Sequence, residues 1–169
     1  MRAQWYIGAA CALLLAGSDA AAQTVAVFDF ELIDTSLEGA TNGPRADEQA
    51  RLAHLGEQLR QRLREAGRFS LLDIAPVADE ARATNLDTCG GCAARLARRL
   101  GAELAVTGTV QKVSNLILNI TIRVADAASG ATLATVTADM RGNTDESWSR
   151  TLDWLIRNRL LAPGYGVVR

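Results

Sequence analysis

The sequence predicts an α/β (α+β) single-domain sandwich: a mixed sheet with a C-terminal antiparallel meander, flanked by helices. Three observations carry that expectation. "TVAVFDFELID" is apolar on both faces in its first half, as a central strand must be. "DEQARLAHLGEQLRQRLREAG" follows, with leucines three and four apart. Three alternating segments then run in series from Glu103 to Gly142, joined by short turns. Strands alternating with helices, then a meander, then a last helix, form one layered domain, and 169 residues suffice for a real core.

The first strand spans Thr24 to Asp34. Alternation places Val25, Val27 and Asp29 on one face and Ala26, Phe28 and Phe30 on the other. "TSLEGATNGPRA" reads as a loop punctuated by Gly39, Asn42-Gly43 and Pro44. The long helix carries the stripe Leu52, Leu55, Leu59 and Leu63. Its first turn is acidic, and Gly67 stops it. "RFSLLDI" is a second strand. Pro76 opens a short helix running to about Asn85, because proline costs nothing in a first turn. After the cysteine loop a helix covers Ala93 to Leu100, and Gly101 ends it.

Ser114-Asn115 and Ser129-Gly130 mark the two turns of the meander. Leu118, Ile120 and Ile122 alternate with Asn119, Thr121 and Arg123, so one sheet face is apolar and the other polar. Thr144 caps the final helix, "DESWSRTLDWLIRNRLL".

The amino terminus reads as a secretory signal peptide over residues 1–22. Arg2 provides positive charge, Ile7 to Ala16 a short apolar stretch, and Ala20-Ala21-Ala22 a small-residue cleavage site. The apolar run is too short for a stable bilayer span. A lipoprotein needs a cysteine directly after the cleavage box, and Cys11 lies inside the apolar stretch instead. The expected product is a periplasmic chain, soluble after cleavage, with one domain over 23–162 and a loose tail over 163–169. The other reading is a retained N-terminal anchor helix.

Charge excludes some partners. Eighteen basic and nineteen acidic side chains leave a net charge of −1. Nucleic-acid binding favours a basic face, so no nucleic-acid partner is expected. Nor is there a polybasic patch for a membrane surface. Cleavage would leave two of the three cysteines, an even number suited to an oxidising compartment.

Those two form Cys89-Gly90-Gly91-Cys92. Covalent haem needs a histidine next, and the residue there is Ala93. Structural zinc needs four ligands, but beyond this pair the exported chain has only His54 among cysteines and histidines. A thioredoxin-like centre would gain from the helix N-terminus and from Arg95, Arg98 and Arg99. Yet "ATNLDT" precedes the motif where that fold has a strand. The plainer reading is a disulfide that clips the loop to the helix. A ring this small removes little chain entropy.

His54 points away from the leucine stripe, with no nucleophile in any triad pattern, and reads as solvent-facing. Asp29, Glu31 and Asp34 bunch at the end of the first strand. Ligands in open α/β sheets bind beyond strand C-termini, so these carboxylates are a candidate small-ligand site; the alternative is a solvated strand end. No glycine-rich phosphate loop is present, and no cofactor or metal is expected.

The last helix buries Trp148, Leu152, Leu155 and Ile156 on one face. At about 100° per residue, Trp154 points roughly 145° away from the middle of that stripe. It falls near Arg150, Arg157 and Leu161, a candidate contact with a partner. Alternatively it packs beneath the tail "APGYGVVR".

The order of "VAVFDF", the long helix, "GRFSLLD", "LGAELAVTGTVQKV" and "ADAASGATL" resembles the αβ module of the TolB amino-terminal domain and the CsgG/LpoB-like curli-secretion and lipoprotein-activator group. With "NLILNI" and "RGNTDESWSRTLDWL" added, the exported chain resembles more closely an uncharacterised family of exported Gram-negative bacterial proteins, a domain of unknown function. The resemblance implies a mixed sheet flanked by helices, in the cell envelope, acting through protein contacts without catalysis, and it hands over no active-site residues. The chain lacks the lipidated cysteine and transmembrane hairpin of the lipoprotein and pore-forming members, and CGGC is not part of the distant group's pattern. The expected function is a non-enzymatic periplasmic accessory or protein-binding module whose partner is another envelope protein, with oligomerisation possible. The alternatives are a thiol-redox accessory protein and a small-ligand binder at the end of the first strand.

Overall fold

Strand β1 (Gln23–Asp34) lies inside a five-stranded mixed sheet. On one side it pairs in parallel with the short β2 (Phe69–Leu71); on the other it pairs in parallel with β3 (Leu104–Ser114). Strands β4 (Ile117–Asp126) and β5 (Thr132–Met140) extend the sheet antiparallel, in the order β2-β1-β3-β4-β5. The structure is a computed structural model and describes residues 22–163. Residues 1–21, all but the last of the expected signal peptide over 1–22, and residues 164–169 of the expected tail lie outside the described residues.

Helices α2 (Ala46–Glu65) and α5 (Asp145–Leu155) cover one face. Leu55, Leu59, Trp148, Leu152 and Leu155 pack there against Val27, Val106, Ile120 and Ile122, all of them buried. Full burial of each such side chain stabilises the fold by about 1.5–3 kcal/mol. A smaller core lies on the other face, under β1 and the start of β3. There Ala26, Phe28 and Ala105 meet Val77, Leu96 and Ala97, from a 3₁₀ turn (Ala75–Val77) and helix α4 (Cys92–Arg99). Helix α3 (Ala78–Arg82) adds Ala81. The alanines on both sides let helix and sheet approach closely.

Simple alternation places Phe30 with Ala26 and Phe28; the structure places it with Val27. The β1–β3 register shifts between Val27 and Phe30, a β-bulge that inserts one residue and reverses the phase of everything after it. Phe30 thus joins the larger core, and Gly108 stands opposite. A Cβ on Gly108 would lie 2.3 Å from the Phe30 ring, so only glycine fits. Strand alternation cannot foresee a bulge, because the extra residue leaves no mark in the pattern.

Other elements differ in extent. The loop after β1 contains a short helix, α1 (Leu37–Asn42), capped by Ser36, whose Oγ accepts from the Gly39 N–H at 3.0 Å. Strand β2 has three residues. The segment opened by Pro76 is a 3₁₀ turn followed by α3, which stops at Arg82 and not Asn85. Helix α4 starts at Cys92, one residue early. Gly67 follows α2 with φ +68°, in the left-handed region that favours glycine. Thr144 caps α5 as expected, its Oγ1 accepting from the Ser147 N–H at 3.2 Å.

Candidate functional site

Helix α5 separates its two tryptophans. Trp148 is 1% exposed and Trp154 is 44% exposed. Trp154 sits in a hollow of about 480 Å³ with Thr137, Asp139, Arg150 and Thr151, beside the edge strand β5. A π-helical turn (Ile156–Leu160) continues α5, and its five-residue repeat is seen in the Leu161 N–H bond to the Ile156 carbonyl at 2.9 Å. Arg159, five residues after Trp154, stacks its guanidinium 5.7 Å from the indole centroid. Regular α-helical spacing does not bring out that neighbour, so the sequence reading missed it.

The other residues predicted for this surface divide. Arg150 shares the hollow and pairs with Glu146. Arg157 is exposed and donates to the Asp153 carbonyl at 3.3 Å. Leu161 turns inward onto the larger core, and its carbonyl accepts from Arg68 at 3.1 Å. The tail under which Trp154 was alternatively expected to pack lies outside the described residues.

The three carboxylates of β1 do not converge. Asp29 pairs with Arg60 of α2 at 2.5 Å. Glu31, on the opposite face, accepts from the Leu86 N–H at 2.8 Å. Asp34 accepts from the Ser36 N–H at 2.8 Å and lies 3.3 Å from Lys112. The bulge sets the faces: it turns Glu31 away from Asp29 and brings Asp34 round to the Asp29 face, where the two carboxylates take different partners.

Lys112, which the sequence reading passed over, organises this end of the sheet. It is fully buried, and its ammonium lies 2.7 Å from Glu48, 3.1 Å from Glu38 and 3.3 Å from Asp34. Asn143 and Asn115 complete the network at 2.6 Å from Glu48 and 2.8 Å from Glu38. Burial alone would lower the lysine's pKa. The three carboxylates outweigh that and hold it above its ordinary value. Burial likewise pushes Asp34 up, but bonds from Ser36 and Lys112 bring it below its usual range. Glu38 is held low by Lys112, Asn115 and Arg45. A signal was available: Lys112 shares the phase of Val106 and Val110, which point to the core. The lysine occupies the centre of the carboxylates, and among the described residues no cluster of histidine, cysteine, aspartate or glutamate is arranged for a metal ion.

Cys89 and Cys92 are disulfide-bonded, with Cα atoms 5.8 Å apart, where the loop enters α4. Cys92 is buried against the smaller core and Cys89 is half-buried. The Cys92 N–H points to Cys89 Sγ at 3.1 Å, and Arg95 lies 3.0 Å from Cys92 Sγ. His54 is exposed on α2. No helix among the described residues is long and apolar enough to cross a membrane.

These features define a mixed αβ sandwich with two unequal cores, whose exposed aromatic lies beside a sheet edge and whose buried charges are satisfied internally. The DUF3280 family profile, described as "Protein of unknown function (DUF2380)", matches residues 23–160, and the chain belongs to that family. Among solved structures, the LpoB C-terminal domain from Escherichia coli is similar in fold. Identity is 15%, with 70% of this chain and 82% of that one covered at a TM-score of 0.50. A PelC dodecamer from Paraburkholderia phytofirmans matches at 14% identity, covering 79% and 86% of the two chains, with a TM-score of 0.45. Lipoprotein GNA1162 from Neisseria meningitidis matches at 17% identity, covering 72% and 82%, with a TM-score of 0.43. A search of curated proteins finds no significant match.

Proposed function

We propose that this chain is a non-enzymatic accessory module of the cell envelope that works by binding another envelope protein, in the periplasm after its leader is removed. The observation that carries this reading is Trp154: a large aromatic, half exposed, held by Arg159 in a shallow hollow beside the edge strand β5. Interfaces draw much of their energy from such tryptophan and arginine anchors. The LpoB-like fold and the sequence resemblance support the same reading; kinship with the TolB and CsgG modules rests on sequence motifs alone. The test is crosslinking in intact cells with a C-terminal tag, followed by intact mass of the purified protein. A partner captured by the natural protein but not by Trp154→Ala, on a chain starting at Gln23 without lipid, is the expected result. Capture unaffected by Trp154→Ala, or a chain retaining residues 1–22, refutes it.

The redox reading has one observation in its favour. The Cys92 N–H and the start of α4 face Cys89 Sγ, which would stabilise a thiolate there. The small-ligand reading retains a cleft of about 390 Å³ at the end of β1, without converging carboxylates.

A further inference from the structure

Strand β1 is covered on its outer side for only part of its length. Strand β2 pairs with Gln23 to Val25, and the last bond on that side runs from the Leu72 N–H to the Val25 carbonyl at 2.9 Å. The Val27 carbonyl is taken by Arg60 at 3.1 and 3.3 Å. Beyond that point no strand among the described residues pairs with the outer edge. The bulge sets which groups are left there. Thr35 donates its N–H to the Lys112 carbonyl, so Glu31, Ile33 and Thr35 turn toward β3. Phe30, Leu32 and Asp34 therefore direct their backbone N–H and C=O groups outward. An unpaired row of this kind is a template for another strand.

The edge is recessed. It forms the floor of the 390 Å³ cleft, with Gln49 and Leu52 of α2 as one wall and Ala78, Ala81 and Leu86 as the other. Two further hollows continue it. One shares Asp29 and Ala78 and reaches back to Val27; the other shares Leu32 and Gln49 and reaches on to Ser36. Five residues of edge span about 17 Å. Walls on both faces admit a single strand and leave no room for a second copy of the sheet with its own helices. Five carboxylates line the groove (Asp29, Glu31, Asp34, Glu57, Asp73) against three arginines. Arg60 pairs with Asp29 and Glu57 and Lys112 lies beside Asp34, but five carboxylates against these three arginines and Lys112 still leave a formal charge of −1, and Arg82 is drawn to Asp79 outside the groove. The groove is therefore acidic.

We infer that the outer edge of β1, from Phe30 to Asp34, is a slot that takes one extended, neutral-to-basic segment of another protein as an added strand. This rests on the protein-binding reading and names the kind of partner. Backbone pairing supplies affinity, and the alternating walls supply specificity. Side chains turned toward Ala78 and Ala81 are apolar and of moderate size. Basic ones, turned to the opposite α2 wall, meet Asp29 and Asp34.

The probe is an acetylated, amidated heptapeptide of alternating lysine and valine, titrated into the isotope-labelled exported protein and followed by amide shifts and hydrogen exchange. The Leu32 and Asp34 amides should shift and exchange more slowly. Replacing lysine with glutamate, or N-methylating alternate peptide amides, should weaken binding at least about tenfold. Ala78→Trp, which fills the groove, should abolish binding; Leu133→Ala, on the exposed surface of β5, should leave it unchanged. An N-methylated peptide that binds equally well overturns the inference, as do shifts centred on Thr137 of β5. So does a dimer that dissociates on Ala78→Trp, which would give the slot to a second copy. Should Ala78→Trp fail to fold, the methylated peptide decides alone, since the protein is unchanged. A failed slot with partner capture still lost in Trp154→Ala removes only this inference.

Discussion

The Lys112 ammonium lies 2.7 Å from a Glu48 carboxylate oxygen, and neither side chain reaches solvent. Removing one partner of a buried pair strands the other charge, at a cost of about 3–5 kcal/mol. Lys112→Met should lower stability by that amount, toward the low end because Asn143 still reaches Glu48. Lys112→Met combined with Glu48→Leu should recover most of the loss. Urea unfolding of the three variants checks this. An unmoved midpoint in Lys112→Met would mean the pair is not buried in solution.

The same network sets the acid response. Asp34 and Glu38 are held below their ordinary values of 3.8 and 4.5. Their contribution is complete above those values and drains away as pH falls through the lowered ones, so the melting temperature should drop below about pH 4. Lys112 is held above 10.5. Its contribution is complete below that value and is lost only at higher pH. A plateau from weakly acidic to about pH 10 is expected. Melting curves against pH test it, and Lys112→Met should flatten the acid limb.

Gly108→Ala drives a methyl group into the Phe30 ring. Overpacking of this kind costs about 1–3 kcal/mol. Phe30→Leu on the same background should restore part of the loss, since the smaller side chain vacates the contact. Without that rescue, the glycine is required for some reason other than the ring.

The tryptophans should separate cleanly. Trp148→Ala empties a fully buried site and should cost about 3–5 kcal/mol. Trp154→Ala should change stability by under about 1 kcal/mol while weakening partner capture. Equal melting temperatures for the two variants would make Trp154 a core residue.

For the cysteine pair, a structural clip predicts a reduction potential below about −300 mV, whereas catalytic pairs sit nearer about −120 to −270 mV. Titration in glutathione and dithiothreitol buffers, with alkylation and mass, measures it. Cys89→Ser with Cys92→Ser should cost little stability, because the ring is small. A potential in the catalytic range, with a thiol-exchange activity lost in Cys89→Ser, would favour the redox reading instead.

Local pattern was enough for much of this protein. The Leu52 to Leu63 stripe, the alternation of Leu118, Ile120 and Ile122, the caps at Thr144 and Gly67, and the opposed settings of Trp148 and Trp154 all follow from periodicity and near-neighbour hydrogen bonding. What those signals do not carry is register between distant segments. The β1 bulge arises where Phe30 meets Gly108, seventy-eight positions away, and it decides that Glu31 faces away from Asp29 while Asp34 comes to the Asp29 face. The Lys112 cluster joins groups from β1, α1, α2 and β3, each unremarkable in its own stretch. The Trp154–Arg159 stack depends on a π-helical turn that changes the spacing by one residue. The open outer edge of β1 exists because β2 stops at Leu71. Each of these is a relation between elements, fixed by which side chains must share the interior, and only the folded chain brings them together.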